Sequence, residues 1–315
     1  MMHPSTRISR RHSLKLMGGV AAAALAPRLC QGENERKPLK MAISADTLIG
    51  ANIDDARAAY RIWIQEAFPR SLQVEIDIVP EIFLSSEEIV SDIRKGTVDC
   101  FGVNALELEK VGDLTDPNRL LLLNYLADGI DYVLLVHNSS PFRKIDDLRG
   151  KQILSHLNHD MVLAPVWLST MFAASNLPQP ERFFASQTLC EKLNQVVLPV
   201  FFRRADAACL TRRNWETAVE LNPQLGRDLR PLAVSPKVIP CAIGMRRSCN
   251  AQSRDSFIES LIKMVNNPMG KQLLALYQAT GFVVRPISAM KSTLDMVREF
   301  ERLSTPQTGS RKGKV

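Results

Sequence analysis

Short apolar runs alternate with amphipathic helical stretches from Leu39 to Asn104, and the same alternation restarts at Tyr132. This doubled β-α-β rhythm constrains the fold more than any other feature of the chain. Parallel strands joined by helical crossovers need helices packed over their faces. Leu39 to Ser44 predicts a first strand, followed by a polar loop through Asn52. Over 54–68, Ala56, Ala59, Tyr60, Trp63, Ile64 and Ala67 recur at helical spacing. Leu72, Val74, Ile76 and Ile78 alternate with polar residues, as in a strand with one wet face. Ser85 and Glu88 pair as a capping box for a helix ending at Gly96, and Val98 to Val103 forms a buried strand ending at Asn104.

Tyr132 to His137 is a further strand, and the turn Asn138-Ser139-Ser140-Pro141 precedes the second round. Its expected strands are Gln152 to Ser155, Phe183 to Ala185, Ala205 to Leu210 and Leu229 to Val234. A helix carries Leu163, Trp167, Leu168, Met171 and Phe172, and Leu189 to Phe202 is helix-like but interrupted by Pro199. After Pro236, helices are expected over 254–265, from Pro268 (capped by Asn267) to about Thr280, and over 292–303. With no sheet of their own to cover, they should return to the first unit.

The prediction is therefore an α/β fold of two lobes, each a mostly parallel sheet flanked by helices, with a hinge between them. Residues 38–137 form the first part of lobe 1, 138–236 an inserted lobe 2, and 237–304 the return to lobe 1. The crossings fall near 136–140 and 235–240, and a disordered basic tail occupies 305–315.

The N-terminus is of another kind. Ser9-Arg10-Arg11-His12-Ser13-Leu14-Lys15 precedes a weakly apolar stretch that ends at Ala26, and residues 1–32 hold no acid. This is the grammar of an export signal, and the arginine pair resembles a twin-arginine address. Cleavage between Ala26 and Gly32 would release a periplasmic product, with the twin-arginine translocase as partner during export. An amphipathic N-terminal helix is the alternative. The stretch from Leu16 to Ala26 is too short to span a membrane.

The net charge of +7 suggests nucleic acid only until it is located. Without Arg7, Arg10, Arg11, Lys15 and Arg28, 35 bases face 33 acids; without Arg311, Lys312 and Lys314 of the tail as well, 32 face 33. A body with a net charge of −1 has no electrostatic footprint for DNA or RNA. Cys100, Cys190, Cys209, Cys241 and Cys249 would remain after cleavage, an odd set without a zinc or redox spacing. Cys100 and Cys209 lie in strand-like runs as buried hydrophobes, and a bridge between two of the five remains open.

Several short matches, in order over roughly 40–303, resemble the periplasmic phosphate/phosphonate solute-binding protein family. They are Arg94-Lys95-Gly96-Thr97-Val98-Asp99, Asp147-Leu148-Arg149-Gly150-Lys151, Arg204-Ala205-Asp206-Ala207, Ser235-Pro236 with Pro240, and Asn267-Pro268-Met269-Gly270-Lys271-Gln272-Leu273-Leu274 with Gly281-Phe282-Val283. The resemblance implies the type 2 periplasmic binding fold, a small-molecule ligand and a membrane ABC permease as partner.

This chain resembles a divergent branch with an altered anion cradle. Family members that bind phosphonate place Ser-Thr-Ser-Gly before the helix whose early proline corresponds to Pro165. Here Asn158, His159, Asp160 and Met161 stand at those positions. Asp160 is either a helix cap or a ligand contact that would repel a phosphonate. Ser186-Gln187 stands where relatives carry Ser-His. Ser44, Asp46 and Asn104, after the first and third strands, complete the expected ligand-binding set with Asn158, His159, Asp160, Ser186 and Gln187. His156 and His159 could be read as metal ligands, but no third ligand cluster accompanies them, so neither metal nor cofactor is expected. Asp206 is expected to pair locally.

No Gly-x-Ser-x-Gly elbow, phosphate loop or Cys/His pair argues for an enzyme. The expected role is a monomeric, non-enzymatic solute-binding component of an import system. A ligand sensor acting with a membrane receptor is the alternative.

Overall fold

A computed structural model describes residues 39–67 and 81–304. The export-signal segment, the predicted strand over Leu72 to Val79 and the tail lie outside the described residues. In chain order the strands are β1 (Met41–Ser44), β2 (Glu81–Phe83), β3 (Cys100–Asn104), β4 (Leu120–Leu123), β5 (Tyr132–His137), β6 (Gln152–His156), β7 (Ser186–Cys190), β8 (Ala207–Thr211), β9 (Leu229–Val234), β10 (Cys241–Met245) and β11 (Phe282–Arg285).

They form two sheets, one in the order β11-β4-β10-β3-β1-β2 and the other β7-β6-β8-β5-β9. The two are built alike. In the first, β1 lies parallel to β2 and β3, and β10 runs antiparallel beside β3. In the second, β6 lies parallel to β7 and β8, and β5 runs antiparallel beside β8. Each sheet thus takes a central antiparallel strand, β10 or β5, from the segment that has just crossed from the other lobe, and β11, antiparallel to β4, adds a second at the edge of the first sheet.

That placement corrects the lobe boundary drawn at 137. β5 was expected to close the first lobe, yet it pairs with β8 and β9 of the second sheet. A fully buried apolar strand carries no polar face to mark its sheet. The chain therefore crosses between β4 and β5, and again between β9 and β10. The two crossings pair with each other: Ile130 N–H donates to Val238 O (2.8 Å) and Val238 N–H to Ile130 O (2.7 Å). Tyr132 N–H then donates to Ser235 Oγ (2.8 Å). Gly129 precedes this ladder at φ +72°, and an added Cβ there would stand 3.1 Å from Lys237 Cβ.

Helix ends follow the local signals. Ser85 accepts from Glu88 N–H, and Gly96, at φ 83°, closes helix Ser86–Lys95. Asn267 caps helix Pro268–Leu276, which stops at Tyr277, short of Thr280. Two expectations fail in the second sheet. Phe183 ends a short helix, Pro180–Phe183, rather than starting a strand, because it packs edge-on against Phe172 (centroids 4.7 Å apart). Leu189 belongs to β7, and the helix behind it, Leu193–Phe201, runs through Pro199.

The C-terminal third contributes β10 and β11 to the first sheet as well as helices. Its last helix, Lys291–Ser304, packs on Ala105–Val111 of the first lobe and on Ala164–Ala174 of the second. Asp206 accepts from Gln152 N–H (2.9 Å), the local pairing expected of it. The five described cysteines are free thiols. Burial pushes the Cys209 thiol up to about 12, so it stays protonated.

Candidate functional site

β1 and β3 are parallel neighbours, so the residues that follow them meet at one edge of the first sheet. Ser44 caps the turn Ala45–Leu48, and Asn104 caps helix Ala105–Val111. Glu107 completes a capping box with Asn104: its N–H donates to Asn104 Oδ1 (2.9 Å), and Asn104 N–H donates to Glu107 Oε2 (2.9 Å). That geometry turns Glu107 inward, where Oε1 accepts from the hydroxyls of Ser44 (2.7 Å) and Ser86 (2.5 Å). Asn104 Nδ2 donates to Asp46 Oδ2 (3.1 Å), and Ser86 Oγ lies 3.4 Å from the same oxygen. Ser44, Asp46 and Asn104 are thus brought together.

Glu107 is the member that sequence reasoning missed, although Asn104-x-x-Glu107 is itself a capping signature. Burial raises its carboxyl above the usual range, and nearby Asp46 adds to this; the Ser86, Ser44 and Asn104 hydrogen bonds pull the other way. No ion pair among the described residues includes Asp46 or Glu107.

Across from this edge, β6 ends at His156 and Asn158 caps the turn His159–Met161. Asn158 Oδ1 accepts from Asp160 N–H (3.1 Å), and its carbonyl accepts from Met161 N–H (3.0 Å). The amides of Asn158 (3.1 Å) and Asn214 (3.0 Å) both face His156 Nδ1, and Nε2 lies 3.3 Å from Glu191 O. Because Asn158 Oδ1 is already engaged, its NH2 is the group turned to the ring. Nδ1 is then an acceptor, and the imidazole is neutral with its proton on Nε2. Burial lowers the pKa of His156 in the same direction.

His159 and Asp160 take another direction. Tyr125 OH donates to Asp160 Oδ1 (2.8 Å) and lies 3.0 Å from His159 Nε2. The His159 ring stands edge-on to Tyr277 (5.7 Å) and also meets the backbone of Ile49. Tyr132 OH donates to the Asp160 carbonyl (2.7 Å). His159 and Asp160 are each 7% exposed.

Between these two edges lies a cavity of about 240 Å3. Asp46 and Ile49 line it from the first lobe; Ser155, His156, Asn158, Glu181 and Gln187 supply polar groups from the second. The remaining wall is apolar, with Leu157, Met161, Val162, Leu168 and Leu189 among its members. No lysine or arginine belongs to the lining, and neither do His159 and Asp160. Of the expected set, Asp46, Asn158 and Gln187 face the cavity. Ser44 and Asn104 support Asp46 from behind, and exposed Ser186 lies at the far end of β7, paired with Gln152. Among the described residues no group of side chains could hold a metal ion.

A family model described as "ABC transporter, phosphonate, periplasmic substrate-binding protein" matches residues 64–286. No curated protein sequence matches the chain. Similar solved structures include XAC2383 of Xanthomonas citri bound to ATP, with TM-score 0.59, 14% identity and coverage of 85% of this chain and 98% of that one. PhnD1 of Prochlorococcus marinus in complex with methylphosphonate gives 0.56, 14%, 85% and 99%. A binding component of a Pseudomonas aeruginosa ABC phosphonate transporter, PA3383, gives 0.55, 13%, 87% and 91%. At these identities the likeness is one of fold, with two lobes and a mixed α/β sheet in each.

Proposed function

The chain belongs to the periplasmic substrate-binding proteins of phosphonate-type ABC transporters, and from that premise we propose that its own ligand is a small molecule held in the 240 Å3 cavity. Members of this family bind a small ligand and work with a membrane permease. They are transport components, not a class of enzyme. The observation that carries the reading for this chain is the two-sided lining, with Asp46 and Ile49 from one lobe and residues from β6 to β7 from the other. A ligand touching both walls binds the closed arrangement better than an open one, which is what couples capture to a hinge. The paired crossings at Ile130 and Val238 are the proposed hinge, dividing a lobe built on the first sheet from one built on the second.

Export belongs to the same proposal. Arg10-Arg11 and the acid-free start support twin-arginine passage, removal of residues up to the Ala26–Gly32 region, and action as a periplasmic monomer. No helix among the described residues is long and apolar enough to cross a membrane. Native mass spectrometry of the protein recovered from the periplasm tests both parts. The expected result is a shortened chain carrying one small-molecule adduct, with precursor held in the cytoplasm when Arg10 and Arg11 are both changed to Lys. A full-length periplasmic chain without adduct contradicts the proposal.

A further inference from the structure

The cavity's lining also bears on what it can hold. We propose, on the reading that this cavity is the ligand site, that it selects a small organic molecule with an ammonium or similar donor end and an apolar body, and that it discriminates against a bare oxyanion.

The charges in the wall point one way. Asp46 and Glu181 are acids, and the lining contains no lysine or arginine to set against them. His156 supplies no positive charge, because the Asn158 amide, its Oδ1 already engaged, donates to Nδ1 and favours the neutral ring. Some of the backbone donors that could replace a cation are spent or missing. Asp160 N–H goes to Asn158 Oδ1 and Met161 N–H to Asn158 O, while Pro165, in the first turn of helix Ala164–Ala174, has no N–H. An oxyanion placed here would lose its water beside a carboxylate without gaining a counter-charge.

Asp46 is built to accept. Its side-chain hydrogen bond from Asn104 ends on Oδ2, and no cation pairs with it among the described residues. A charge-assisted bond to an ammonium supplies the missing partner. Beside it Ile49, and opposite it Met161, Val162, Leu168 and Leu189, offer a surface that only an apolar body can use.

The test is calorimetric titration of the mature protein at pH 7 with n-butylamine, n-hexylamine, methylphosphonate and inorganic phosphate. The expected result is binding of hexylamine more tightly than of butylamine, and of both more tightly than of either anion. Asp46→Asn should weaken the amines by about tenfold or more, the usual effect of a hydrogen bond to a charged group. Exposed Glu181→Gln should weaken them in the same direction, and serves if Asp46→Asn melts early. Gln187→Trp, on an exposed strand position at the lining, should abolish binding. Tighter binding of an anion, no binding of either amine, or amine affinities unchanged in both acid variants overturns the proposal. An anion that binds tightly and is blocked by Gln187→Trp leaves the cavity as the ligand site and removes only the ligand class. A probe whose binding ignores Gln187→Trp removes the site itself.

Discussion

At the scale of single residues, the second lobe's histidines and the first lobe's acids carry opposite costs. Burial is the main influence on His159, lowering its pKa, while Asp160 and the Ile49 backbone partly oppose it; His156 is lowered by burial too. An unfolded chain holds these imidazoles near an ordinary pKa of about 6.5, so it takes up more protons than the folded one as pH falls past that value. Stability present in full above about pH 6.5 is therefore lost on acidification toward the lowered folded values. We expect the melting temperature to drop between pH 7.5 and pH 5.5, and His159→Gln, which can still meet Tyr125, to drop less over the same interval. An unchanged pH slope in the variant would show that His159 does not titrate against folding. Glu107 has the reverse sign: its raised carboxyl makes folding less favourable as pH climbs above about 4.5, so it cannot be the source of an acid-side loss.

Elements show what local chemistry can and cannot announce. Gly129 and Gly150 both sit at positive φ, +72° and +67°, but a Cβ at Gly129 meets Lys237 and Val238 whereas one at Gly150 meets nothing within 4 Å. Gly150→Ala should cost only the left-handed backbone penalty, ~1–2 kcal/mol. Gly129→Ala should cost more in urea unfolding, since the paired crossings must also give way; equal costs would mean that the ladder yields freely. The caps were legible because they need only neighbours in sequence, as at Ser85 with Glu88 or Asn267 with Pro268. The sheet assignment of β5 was not, since Tyr132 to Val136 are buried on both faces and read alike in either sheet. Phe183 read as a strand residue until Phe172 was beside it. Of the residues expected to bind a ligand, Asp46, Asn158 and Gln187 line the cavity. The direction of Asp160 was hidden, because it is set by Tyr125 and Tyr132, from segments far away in the chain. On the proposed reading, charge preference turns on Asp46, with Glu107 behind it, and not on Asp160.

For the whole molecule, the two sheets repeat one plan, and the wall between them is shared by both lobes. The last helix, Lys291–Ser304, reaches both, and Thr293 Oγ1 accepts from Ile239 N–H (2.8 Å) beside the paired crossings. The most direct test is a crystal structure of the protein as recovered from the periplasm. The account predicts density for one small organic molecule touching Asp46 or Ile49 on one side and Asn158 or Gln187 on the other. A molecule bound to a single lobe away from these residues, with the cavity closed by side chains, would contradict it.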